Sequence, residues 1–256
     1  RSRAAVEALK QIVADEGIRC GLQDKDTLYL AGDEYGRRAL EAEADARADV
    51  GLDSTFLGPA DLRARFGLDR TGAILSTGSA SADPAQLAAA LLRRAQADGA
   101  VVYSPVEVTQ AASDPDGVTL LTDAGHAVRA RHVVFCCGYE FPDGVPTPGA
   151  KVISTWALAS TERTPCPAWL RDTLVWEASD PYLYFRMASD GRLIVGGEDE
   201  DAPGAHENPD KLKRKCETIR DKLKVLLPSV EFEVDYSWAG AFGESATGLP
   251  SIAPVP

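Results

Sequence analysis

The segment Asp180-Pro-Tyr-Leu-Tyr-Phe-Arg-Met-Ala-Ser-Asp-Gly-Arg-Leu-Ile-Val-Gly-Gly-Glu198 carries the side chains best suited to chemistry. Successive residues of a strand point to opposite faces. Tyr182, Tyr184 and Arg186 therefore share one face, and Leu183, Phe185 and Met187 share the other. Ser189-Asp190-Gly191 is a turn, because glycine tolerates a positive φ. Arg192 to Val195 returns as the second strand of a hairpin. Gly196 and Gly197 carry no Cβ and admit a close neighbour. One face can thus be buried while the other offers two phenols and a guanidinium. A plainer reading fits the same pattern: tyrosine and arginine covering a half-wet sheet face.

Self-sufficient catalytic motifs are missing. The sequence has no Gly-x-Ser-x-Gly elbow, His-Glu-x-x-His, Walker loop or Gly-x-Gly-x-x-Gly. The acidic run Glu198-Asp-Glu-Asp201 reads as a solvated turn, since neighbouring exposed carboxylates have nothing to separate their pKa values. Five cysteines are too few for a disulfide scaffold, and no Cys-x-x-Cys occurs. Cys136 and Cys137 lie in an apolar run and read as buried, reduced thiols of a cytoplasmic protein. His126, His132 and His206 lack ligand spacing, so no metal site is predicted.

The chain has 256 residues, of which 45% are hydrophobic and 26% charged, enough for one large domain or two small ones. A net charge of −12 supplies no basic stripe for nucleic acid or an anionic membrane surface. No run approaches the roughly 20 apolar residues of a membrane span, and no signal peptide is recognisable. The chain starts at Arg1, so it reads as a possible fragment or processed form.

Positioning elements can be read in order. A helix is predicted over 3–15, a strand over 27–31, a solvated helix capped by Asp33 and running to about residue 50, and a short helix over 58–66. A strand follows over 71–79. Asp83-Pro84 opens a helix whose buried stripe would be Leu87, Leu91, Leu92 and Ala95. Strands follow at 101–103, 106–109, 118–122 and 128–130, with strong turn signals between the last three. His132-Val-Val-Phe-Cys-Cys-Gly138 looks like a strand buried on both faces, and 141–149 like a linker. Strands over 151–160 and 172–178 lead to the hairpin. Asn208-Pro209 caps a helix with Leu212, Cys216, Ile219, Leu223 and Leu226 on one face. A last strand is predicted over 231–238, and 240–256 as a glycine- and proline-rich end.

Five phrases in fixed order carry a resemblance. They are Asp83-Pro84 with its helix, Gly99-Ala-Val-Val102, Val133-Val-Phe-Cys-Cys-Gly138, the hairpin, and Ser237-Trp-Ala-Gly-Ala-Phe-Gly243 followed by Gly248-Leu-Pro-Ser-Ile252. Together they resemble the D-amino-acid-oxidase type of FAD-dependent oxidoreductase, the group that includes glycine oxidase and sarcosine oxidase. The resemblance spans nearly the whole chain, but the family's terminal cofactor segments are not in it. It implies an α+β or α/β protein in which a split FAD-binding domain is interrupted by a substrate domain on a mostly antiparallel sheet. The implied division is a connecting helix over 1–17, a substrate domain over 18–82 and 151–239, and a partial FAD-binding domain over 83–150 and 240–256.

The resemblance also implies roles. Val106, Cys137, Gly138, Thr247 and Gly248 would face FAD, which the chain alone would hold weakly or not at all. Tyr184, Arg186, Tyr182 and Phe242 would face a small-molecule substrate. Phe242 stands near the place where relatives carry a carboxylate-binding arginine, so Arg186 is the substitute. The implied activity is oxidation of a C–N bond in a small amine or amino acid by hydride transfer to flavin, which this truncated chain is expected to lack. The alternative is a non-catalytic binding module that keeps the sheet. An oxidase of this fold acting on an alcohol such as glycerol 3-phosphate fits less well, for want of a phosphate-binding Lys and Arg cluster on the hairpin.

Overall fold

The computed structural model describes residues 2–139 and 149–248, with 250, 252 and 254 beyond them. Alternating apolar residues build a large sheet. Its strands are β1 (Gln23–Leu30), β2 (Ser54–Leu57), β3 (Ala73–Ser81), β7 (Ala150–Ser160), β8 (Thr173–Glu177), β9 (Leu183–Met187), β10 (Leu193–Glu200) and β11 (Val234–Ser245). They lie in the order β11-β7-β10-β9-β8-β1-β3-β2. Pairing is antiparallel except between β1 and β8, where Leu28 opposes Val175 in parallel. A separate three-stranded meander holds β4 (Val108–Asp114), β5 (Gly117–Thr122) and β6 (Ala127–Ala130). The molecule is thus a mixed α/β protein on a large, mainly antiparallel sheet.

Five α-helices complete the described residues: α1 (Ser2–Asp15), α2 (Arg37–Asp49), α3 (Pro59–Phe66), α4 (Pro84–Ala97) and α5 (Pro209–Leu226). Asn208 caps α5, its side chain accepting from Asp210 N–H and Lys211 N–H. Ile219, Leu223 and Leu226 of α5 then bury against Trp156, Leu158, Leu183, Phe185, Leu193 and Val195. α3 adds Leu62 and Phe66 to the same cluster. Among the described residues the opposite sheet face is covered at one end, where Leu40 and Ala44 of α2 pack on Ile74, Ala31, Tyr29 and Phe56. At the β10-β7-β11 end, Tyr236, Trp238 and Phe242 stay exposed among the described residues.

Several sequence expectations need correction. α2 starts after Gly36, and Asp33 instead accepts from the backbone N–H of Asp180. α2 also buries Leu40 and Ala44, so it is not simply solvated. No residue of α4 is buried, and Leu91 and Leu92 lie open, because no element among the described residues is packed on that stripe. Residues 101–103 and 132–138 form no strand; Val134 is 82% exposed. An apolar run becomes a strand only when a neighbour completes its hydrogen-bond ladder, and none does so here among the described residues. Cys136 and Cys137 are accordingly exposed, while Cys20 is buried. β11 continues to Ser245, because β7 pairs with it through Ser245↔Ala150. The expected linker lies, apart from Gly149, outside the described residues.

The α5 contact is a load that can be measured. Leu223→Ala should lower unfolding stability by about 2–5 kcal/mol, the usual cost of a buried leucine cavity. Leu91→Ala on the open α4 stripe should change it by less than about 1 kcal/mol. Urea denaturation followed by circular dichroism compares the two.

Candidate functional site

The hairpin forms as expected, with Gly196 opposite Tyr184 and Ile194 opposite Arg186. Leu183 and Phe185 are fully buried against α5, which turns Tyr184 and Arg186 to the opposite face. Directly opposed residues share a face across a ladder. One row therefore runs Tyr29, Trp176, Tyr184, Gly196, Ala157, Trp238, and the next brings together Arg186, Ile194, Ala159 and Tyr236. The phenol of Tyr184 lies over Gly196, where any Cβ would collide with the ring. That glycine therefore sets the height of the tyrosine above the sheet.

β10 has an irregularity between Gly197 and Glu200. Gly197 has φ 128° and a Cβ there would strike the Tyr182 carbonyl; Glu198 follows with φ 58°. A bulge re-aims the side chains around it. Glu198 and Glu200 turn toward α5, where Lys222 pairs with Glu198 and Lys211 with Glu200. Lys215 donates to the Glu198 carbonyl at 2.7 Å, pairs with Glu200 at 3.0 Å and stands 4.8 Å from the centre of the buried Trp156 ring. Asp199 is left facing the hairpin and accepts from the Tyr182 hydroxyl at 2.9 Å. The acidic run is thus a structured clamp and not a solvated turn: Glu198 is only 5% exposed.

Tyr182 and Tyr184 meet with ring centres 6.0 Å apart and planes tilted by 35°. Burial, then the Asp199 charge, holds the Tyr182 phenol far above the ordinary tyrosine range. Burial and Asp199 also raise Tyr184, while Arg186 and a hydrogen bond with Thr155 pull it down. Both phenols stay protonated near neutrality and act as hydrogen-bond donors. Arg186 is half-buried and has no hydrogen bond or ion pair among the described residues. It is a guanidinium with its full donor set open beside a protonated phenol.

The other predicted residues are placed less closely. Phe242 lies on the same sheet face, opposite Ile153, and meets Tyr139 with ring centres 6.3 Å apart. Gly138, with φ 66°, opens the turn that brings Tyr139 over Gly243. Cys137 is exposed, and Val106 is 48% exposed outside any strand. Thr247 and Gly248 follow β11 in an exposed turn closed by Gly248 N–H to Ser245 C=O at 3.0 Å. Val106, Cys137, Gly138, Thr247 and Gly248 are all exposed. Among the described residues no group of three or more His, Cys, Asp or Glu could hold a metal ion. No described helix is long and apolar enough to cross a membrane.

Sequence reading missed Asp199, Thr155, Tyr139 and Trp176. Trp176 could have been paired with Tyr184 only by knowing the β8–β9 register. Asp199 was hidden by its acidic neighbours, whose lysine partners lie on a helix 11 to 24 residues further along the chain.

This sheet and its hairpin are those of a known class. The family model described as FAD dependent oxidoreductase matches residues 1–256, and the chain belongs to that family. Among solved structures, it is similar to glycine oxidase from Geobacillus kaustophilus, with TM-score 0.80 and 23% identity over 97% of this chain and 67% of that one. NikD, described as an unusual amino acid oxidase essential for nikkomycin biosynthesis, gives 0.77 and 20% over 94% and 66%. L-alpha-glycerophosphate oxidase from Mycoplasma pneumoniae, with FAD bound, gives 0.76 and 15% over 96% and 69%. The chain thus spans about two thirds of the length of these neighbours. A comparison with curated proteins gives no match.

Because Asp199 is the second cause of the Tyr182 shift, Asp199→Asn should lower the phenol's titration midpoint without restoring an ordinary value. Burial, the first cause, remains. A folded pKa raised above the unfolded one contributes stability below about pH 10 that is lost as pH rises. Wild type should therefore lose stability on the alkaline side more steeply than Tyr182→Phe. Phenolate absorbance and alkaline denaturation read the two effects.

Proposed function

We propose that the chain is the substrate-binding part of an FAD-dependent oxidoreductase that oxidises a C–N bond of a small amine or amino acid. The observation that carries this reading is the Arg186 guanidinium, unpaired among the described residues, beside the protonated Tyr184 on the open sheet face. A guanidinium donates two parallel hydrogen bonds to a carboxylate. Tyr184 adds a neutral donor one row along, and its contact with Tyr182 restricts both rings. The exposed Tyr236, Trp238 and Phe242 provide apolar walls on the same face. When bound, the family's flavin supplies the hydride acceptor. The residues of this chain orient the substrate and keep water from it.

The proposed division follows the two sheets. Residues 18–82 and 151–239, extended by β11 to Ser245, form the substrate domain; 83–150 and the end of the chain belong to an FAD-binding domain that this chain contains in part. The names of the similar structures support amino-acid substrates, since glycine oxidase and NikD are among them. The glycerophosphate oxidase shares the fold, but its substrate carries a phosphate, and Arg186 stands on β9 without a second cation from that strand. A binding module without redox chemistry is the second reading, favoured by the scattered, exposed positions of Val106 and Cys137.

The test uses the gene's full coding sequence, with a panel of D- and L-amino acids, glycine and N-methyl amines, and flavin bleaching as the readout. Bleaching by a carboxylate-bearing amine is expected. Arg186→Gln should raise KM for that substrate at least about tenfold, the loss of a charge-assisted pair. A panel that bleaches nothing, in a protein that holds flavin, sinks the enzyme reading. For the 256-residue chain itself, purification with added FAD should leave no stoichiometric flavin in the visible spectrum.

A further inference from the structure

Beside the hairpin, a pocket of about 220 Å³ is lined by Tyr29, Tyr35, Trp176 and Tyr182, with Glu34 and Glu177 at its edge. No lysine or arginine lines it. Tyr29 and Trp176 meet with ring centres 5.4 Å apart and planes tilted by 34°. Aromatic faces attract cations, more so when partly desolvated. The protein already uses this property one side away: in the adjoining cavity, Arg47 stands 5.8 Å from the centre of the Tyr29 ring. Glu177 is neutralised by Arg70 at 2.7 Å, which leaves Glu34 as the uncompensated charge.

The walls are fixed by backbone. Glu34 and Tyr35 both donate their N–H groups to Ala178 C=O, at 3.0 and 3.2 Å. Gly32 lies so close to Ala178 and Ser179 that a Cβ could not be placed there. Asp33 accepts from Asp180 N–H, and this hydrogen bond leads the causes that hold its carboxyl below the usual range. Loops 31–36 and 178–182 are therefore clamped together, and the pocket stands between them.

We infer that this aromatic pocket binds the positively charged end of a substrate whose carboxylate sits on Arg186, so that the substrate class is amino acids with a cationic side chain. The inference rests on the reading of Arg186 given above. Arg186 and Tyr182 are four residues apart on one face, about 13 Å along the strand. With both long side chains reaching toward each other over Tyr184, that interval would match an extended basic amino acid. The reacting α-carbon then lies next to Tyr184, between the two anchors.

Binding can be read without flavin. The 256-residue chain is titrated calorimetrically with lysine and norleucine, each as both enantiomers, and with tetramethylammonium. Lysine should bind about tenfold more tightly than norleucine, the size of a partly desolvated cation–π contact. Trp176→Leu should abolish that preference, and Trp176→Phe should keep most of it. Tyr35→Leu, at a site 53% exposed, reduces the preference without touching the core. Arg186→Gln should weaken lysine and norleucine alike and leave tetramethylammonium unchanged. Equal binding of lysine and norleucine, or a preference that survives in both Trp176→Leu and Tyr35→Leu, overturns the inference, as does an absence of all binding. Tetramethylammonium bound in a Trp176-dependent way, with both amino acids indifferent to Arg186→Gln, keeps the cation pocket and rejects the carboxylate anchor beneath it.

Discussion

Burial of Leu183 and Phe185 under α5 is the constraint on which the candidate site depends. The two-residue period of a strand leaves no choice once those side chains are inside: Tyr184 and Arg186 must face the other way. A slip of one residue would exchange the two sets, placing a guanidinium in a core of leucines at a prohibitive desolvation cost. The hydrophobic effect thus does the positioning for polar chemistry. α5 never touches the proposed substrate face, yet its Ile219, Leu223 and Leu226 hold the strand that presents it.

The polar clamp at the end of β10 refines that arrangement. Regular alternation would put Asp199 on the α5 face with Leu193 and Val195, and Glu198 and Glu200 on the face of Tyr184. The bulge exchanges the two sets, and three lysines of α5 hold both glutamates. Glu198 adopts a backbone conformation that costs energy for any residue with a Cβ. Its nearly buried carboxylate is matched by Lys222 and Lys215, and its carbonyl by Lys215, which offsets that cost. The product is one carboxylate, Asp199, directed at Tyr182.

The chain belongs to the FAD-dependent oxidoreductase family and shares its fold with glycine oxidase. The sheet is stable on one face through its own helices. On the other face α2 covers only the β1-β3-β2 end, and a row of aromatics from Tyr29 to Trp238 continues into the open part. A redox flavoenzyme needs little acid–base machinery from its protein beyond orientation and exclusion of water, which is the role proposed for Tyr184 and Arg186.

Local pattern was enough for the hairpin, its turn, the face shared by Tyr184 and Arg186, the Asn208 cap and the apolar stripe of α5. Each of these rests on neighbours within a few residues, where periodicity and turn chemistry speak directly. It misled at 132–138 and at Leu91 and Leu92, since an apolar run or stripe does not reveal whether a partner is there to cover it. The extension of β11, the Asp199–Tyr182 bond and the pocket between Tyr29 and Trp176 came only from the tertiary structure. They join segments up to about 150 residues apart, set by sheet order and register. No local preference encodes such pairings; they follow from which faces must be buried together.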